Sequence, residues 1–145
     1  MKRQAVSLVS LLSLLLVAGS AIAQTVHVRA DIPFNFAVGN KTYPAGKYTI
    51  RTIGDRSNEV LCLRAGDGNA SMMILSNATE SLTPADKTKL VFSRYGNQYF
   101  LSQVWLNGAT RGHRLPKSNR EKEVANAMAR SLAGERVEVM ASVQY

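Results

Sequence analysis

The chain has 145 residues, with 18 Lys and Arg against 10 Asp and Glu and a formal net charge of +8. That length bounds one domain, and the charge favours anionic partners such as envelope polysaccharide, lipid head groups or nucleic acid. A single cysteine, Cys62, excludes an intramolecular disulfide, so the fold must stand on its core.

Met1 to Ala23 reads as an export signal: basic Lys2 and Arg3, an apolar run from Ala5 to Ala18, and the cleavage site Ala21-Ile22-Ala23. The run is shorter than the roughly 20 residues that span a bilayer, so no transmembrane anchor is expected after cleavage. The mature chain, 24–145, then has 122 residues, a net charge of +6 and a periplasmic or extracellular destination.

Val26, Val28, Ala30 and Ile32 alternate with His27, Arg29 and Asp31, the period of a half-buried strand that Pro33 ends. Phe34 to Val38 resumes the alternation and Gly39-Asn40 turns the chain. Pro44-Ala45-Gly46 is a second turn, leading into a strand from Lys47 to Ile53. Glu59 to Arg64 and Ser71 to Ser76 are strands around the turn Gly66 to Asn69. The unbroken Met72-Met73-Ile74-Leu75 predicts burial on both faces. Asn77 to Lys87 is polar and predicts the longest loop.

Thr88 to Trp105 is a hairpin closed at Gly96-Asn97, which sets Phe92 opposite Leu101 and Arg94 opposite Tyr99. The predicted faces are Leu90, Phe92, Tyr99, Leu101 and Trp105 on one side and Val91, Tyr95, Phe100 and Val104 on the other. Ala109 to Lys117 reads as an irregular basic connection. Ser118 and Glu121 form a capping box opening a helix from about 119 to 133, with Gly134 at its C′ position. Val124, Met128 and Leu132, with Ala125 and Ala129 beside them, are its packing stripe. Val137 to Tyr145 alternates as a final strand. The fold class is therefore mainly β: an antiparallel β-barrel or β-sandwich of about eight strands, with one C-terminal helix followed by a final strand.

The chemistry is sparse. His27 and His113 are the only histidines, and neither stands in a metal, nucleophile or phosphate-loop motif; no catalytic, cofactor or metal residues are expected. Arg111, His113, Arg114, Lys117 and Arg120 are candidate anion-binding residues at a helix N-terminus. No aromatics interleave with them, which argues against single-stranded nucleic acid. Phe34, Phe36, Tyr48, Phe92, Leu101 and Trp105 are the candidate lining of an apolar-ligand cavity.

Three stretches, IPFNFAVGNKTYPAGKYTI (Ile32 to Ile50), RYGNQYFLSQVW (Arg94 to Trp105) and LPKSNREKEVA (Leu115 to Ala125), resemble a group of short exported bacterial β-rich proteins of unknown function. The resemblance implies export and carries no catalytic or binding residues. The order of strands, helix and final strand is also similar to that of lipocalins. Two functions are expected: a non-enzymatic envelope or extracellular protein that binds anionic surfaces or self-associates through edge strands, Gln24 to Ile32 foremost, or a lipocalin-like carrier of a small apolar ligand.

Overall fold

The computed structural model describes residues 26–53, 59–129 and 134–144; the expected signal segment and the end of the expected helix lie outside these. Among these residues ten strands are present: β1 (His27–Ile32), β2 (Phe36–Val38), β3 (Lys41–Tyr43), β4 (Gly46–Ile53), β5 (Glu59–Ala65), β6 (Ser71–Glu80), β7 (Lys89–Tyr95), β8 (Gln98–Trp105), β9 (Arg111–Arg114) and β10 (Glu135–Val143). Among the same residues there is one helix, α1 (Asn119–Met128), which precedes the last strand. Eight strands close an antiparallel barrel in the order β1-β4-β5-β6-β9-β8-β7-β10, with β10 back against β1. β10 returns beside β7 after the meander β7-β8-β9, a Greek-key connection. The β2–β3 hairpin is an excursion between β1 and β4, joined to β8 by a parallel bridge from Ala37 to Phe100.

The alternating residues explain the closure. On β1, Val28, Ala30 and Ile32 are buried while His27, Arg29 and Asp31 are exposed, so the strand has one dry face. The same phase carries Tyr48 and Ile50 from β4, Leu61 and Leu63 from β5, Leu90 and Phe92 from β7 and Val139 from β10 into one core. A second, smaller cluster lies outside the wall, where Val124, Ala125 and Met128 of α1 cover Ala37, Tyr95 and Phe100. That is the predicted stripe, as far as it is described. Ser118 caps α1, its Oγ accepting from the Glu121 amide at 3.1 Å. Among the described residues no helix is long and apolar enough to cross a membrane.

Four expectations are corrected. First, Arg111 to Arg114 is a strand rather than an irregular connection, and Asn77 to Glu80 belongs to β6 rather than to a loop, because the two segments supply each other's ladder bonds. Second, the hairpin register holds from Tyr95 to Phe92 but slips between Phe92 and Val91, so that Val91 faces Gln103. This bulge inserts one residue into β8, and from there each side chain changes face. Val104 joins the interior and Trp105 leaves it. Third, β6 is not buried on both faces: Met73 is 70% and Leu75 65% exposed, because the helix covers β7 and β8 instead. Fourth, β1 is paired by β4 from His27 to Ile32 and by β10 from Val28 to Ala30, so the middle of the strand has neighbours on both sides and is not a free edge.

Candidate functional site

The anion-binding candidates separate according to strand phase. On β9, His113 lies opposite Val104, a core residue, and its Nδ1 sits 3.3 Å from Ser76 Oγ. Arg114 has the opposite phase and stands beside Gln103 on the outer wall. Arg111 is held by Glu80 at 3.1 Å, and Arg120 Nη1 donates to Thr42 Oγ1 at 2.7 Å. Arg114 and Lys117 are therefore brought together, whereas Arg111, His113 and Arg120 point elsewhere.

What Arg114 and Lys117 share is a cleft of about 620 Å³ between the outer wall and α1. Ser93, Ser102 and Gln103 give it a neutral polar floor, Ala125 and Ala129 of α1 form one side, and Arg136 of β10 stands at the far end, opposite Ser93. Arg114 and Arg136 are exposed and have no carboxylate partner among the described residues. Glu135 also lines the space, but its carboxylate lies 3.3 Å from Arg94. Three cations thus face one uncharged floor. Arg136 and Gln103 are invisible to sequence reasoning, since only the return of β10 beside β7 places Arg136 there. Its position on the polar phase of the last strand is the one signal available.

A second depression of about 310 Å³ continues from the first and shares Gln103 and Arg136 with it. Trp105 forms part of its wall, with Nε1 donating to Gln103 Oε1 at 2.8 Å. Its charges are matched: Lys89 Nζ lies 2.8 Å from Glu138 Oε1 and 3.7 Å from Asp86 Oδ1. The uncompensated positive potential therefore belongs to the first cleft.

Of the predicted apolar lining, Phe34, Phe36, Tyr48, Phe92 and Leu101 meet inside the barrel. Trp105 does not, for the register reason given above. The rings contact one another: Phe36 lies 5.0 Å from Tyr48 and 5.6 Å from Phe92, both edge to face, and Phe34 stacks on Tyr99 at 3.9 Å. Tyr48 Oη donates to Pro44 O at 2.7 Å and Tyr43 Oη to Met72 Sδ at 3.2 Å. Burial raises the pKa of both phenols, with Asp67 and Tyr43 adding to the effect at Tyr48. Rings in mutual contact, with their hydroxyls satisfied from within, make a packed core.

Among the described residues no group of three His, Cys, Asp or Glu side chains is placed to hold a metal ion. Cys62 is buried, and His27 lies exposed on β1. Asp67 accepts from the Asn69 amide at 3.0 Å, which is the backbone-capping role of a turn residue. Among the described residues the one buried carboxylate is Glu121, 5% exposed. Burial raises its pKa from the ordinary value, against the opposing pull of Lys117 and of the Tyr95 hydroxyl, which donates to it at 3.3 Å. It ties α1 to β7. No family model, curated protein or solved structure matches the chain.

Proposed function

We propose that this chain is an exported, non-enzymatic binding protein of the bacterial envelope or extracellular space, taking an anionic polymer such as an acidic polysaccharide into the cleft between α1 and the barrel wall. The observation that carries this reading is the convergence of Arg114, Lys117 and Arg136 on a neutral Ser and Gln floor. Guanidinium forks suit carboxylates and sulfates spaced along a chain, and the serine and glutamine side chains suit hydroxyls. An elongated ligand could continue along the wall into the charge-balanced depression beside Trp105. Against an apolar carrier stands the interior itself, whose aromatic rings are spent on one another.

The test is a titration of the exported protein with polygalacturonate, with uncharged dextran as control. Binding to the acidic polymer alone is expected, weakening steeply between about 50 and 300 mM salt as exposed charges are screened. Arg114→Ala with Arg136→Ala should weaken it at least tenfold, and Arg111→Ala, which is held by Glu80 away from the cleft, should not. Equal losses from both variants would mean diffuse basic charge rather than a site, and would overturn the reading.

A further inference from the structure

We propose that two copies of this chain associate through the first half of β6, pairing antiparallel about a two-fold axis at Met73. Ala65 N donates to Ala70 O at 2.9 Å, in the same register that pairs Leu63 with Met72 and Leu61 with Ile74. Antiparallel ladders alternate, so the even residues of β6 bond to β5 and the odd ones turn the other way. The far edge obeys the same rule: Ser81 N donates to Thr110 O at 2.8 Å, in register with Thr79 opposite Gly112 and Asn77 opposite Arg114. β9 ends at Arg114, and the next amide, Leu115 N, donates across to Ser102 O of β8 at 2.8 Å.

Ser71, Met73 and Leu75 thus direct their N–H and C=O groups to an edge that no strand among the described residues occupies. The side chains of Met73 and Leu75, 70% and 65% exposed, rim the same opening, a cleft of about 330 Å³. Within the strand itself no edge-blocking feature is present. Ser71 to Thr79 contains no charge, no Pro and no Gly, and no bulge interrupts the strand.

A second copy is favoured over other occupants by charge and by register. Without the leader the chain carries a net +6, so copies approaching elsewhere meet like charge, whereas here the strand itself is uncharged. Lys117 and Glu121, at the cleft's end, have opposite signs. Only three consecutive outward residues are available, because Asn77 is already taken by β9. Using all three fixes the axis: Met73 faces Met73 of the other copy, and Ser71 faces its Leu75. Three such pairs give about six intermolecular backbone bonds and unite the exposed methionine and leucine side chains in one apolar strip.

Sedimentation equilibrium of the exported protein tests this. A concentration-dependent dimer is expected, and Met73→Lys or Leu75→Lys should raise its dissociation constant at least tenfold with far-UV circular dichroism unchanged. Met140→Lys is the control: Met140 is 57% exposed and apolar, but it lies on a strand paired on both sides, so its loss should leave the dimer intact. Amide exchange gives a second readout. The Met73 and Leu75 amides should gain protection as the dimer forms, while those of Met72 and Ile74 are protected at every concentration. A protein that stays monomeric to about 1 mM, a dimer indifferent to the lysines, one broken equally by Met140→Lys, or one whose Met73 amide exchanges freely would each overturn the proposal.

Discussion

Replacing Phe36 with Ala tests whether the barrel interior is core or container. Phe36 is 1% exposed and its ring meets those of Tyr48 at 5.0 Å, Phe92 at 5.6 Å and Tyr43 at 5.7 Å. Truncating a buried phenylalanine costs about 3–5 kcal/mol, including about 0.5–1.5 kcal/mol for each aromatic pair lost. With three pairs at stake, a loss of about 4 kcal/mol is the working figure. Unfolding entropy of about 2.1 cal/mol/K per residue, over roughly 120 residues, gives about 0.25 kcal/mol/K, so Tm should fall by about 15 °C. Differential scanning calorimetry of the purified protein measures it directly. Were the rings instead the lining of an exchangeable ligand site, the neighbours would not depend on Phe36. A fall of less than about 4 °C, which corresponds to about 1 kcal/mol, would refute the reasoning.

Three other changes follow from local geometry. Glu121→Gln removes a charge whose folded-state pKa is raised by burial, so the native state of the wild type holds that proton more tightly than the unfolded chain does. Wild-type stability from this group is present below the ordinary carboxyl pKa and is lost as pH rises; urea melts at about pH 4 and pH 7 should show the variant gaining on the wild type at the higher pH, and a variant losing ground there contradicts the assignment. Gly112→Ala would set a Cβ 2.7 Å from Trp105 Cδ2 and 2.9 Å from the Val104 carbonyl oxygen, which cannot swing aside; a loss of about 1–3 kcal/mol with altered Trp105 fluorescence is expected, and an unchanged spectrum would count against it. Ser118→Ala deletes the cap of α1 and should cost about 1 kcal/mol in chemical denaturation, with Ser118→Asp restoring most of it.

The legible parts of this fold were those where one short-range signal decided the outcome. Gly96, at φ +63°, closes the β7–β8 hairpin, and the register next to it follows from the turn alone. Alternation marked β1 and β10, and the Ser118 cap marked the start of α1. The chain was illegible where a partner strand determined the result. The bulge opposite Val91 leaves no mark in the composition of β8, yet it exchanges Val104 with Trp105 between inside and outside. Arg-Gly-His-Arg has no apolar phase to betray a strand, and its pairing with β6 and β8 makes it one. The candidate site suffered likewise: Arg114 and Lys117 were visible as charge, but Arg136 enters the cleft from a strand 22 residues further on than Arg114.

Both proposed surfaces trace to the shortness of β9. Pro116 has no amide to donate and Ser118 begins the helix cap, so the chain cannot continue along β6 beyond Arg114. Residues 115–117 instead cross toward β8 and form the ridge between two spaces, with the cationic cleft on one side and the unpaired half of β6 on the other. Lys117 is the charged residue that lines both. Elsewhere the two surfaces use different side chains: Arg114 and Arg136 on one, Met73 and Leu75 on the other. Polymer binding and self-association should therefore be nearly independent. Leu75→Lys should leave polygalacturonate affinity per chain unchanged, and Arg136→Ala should leave the dimer intact, while Lys117→Ala, on the shared ridge, should alter both.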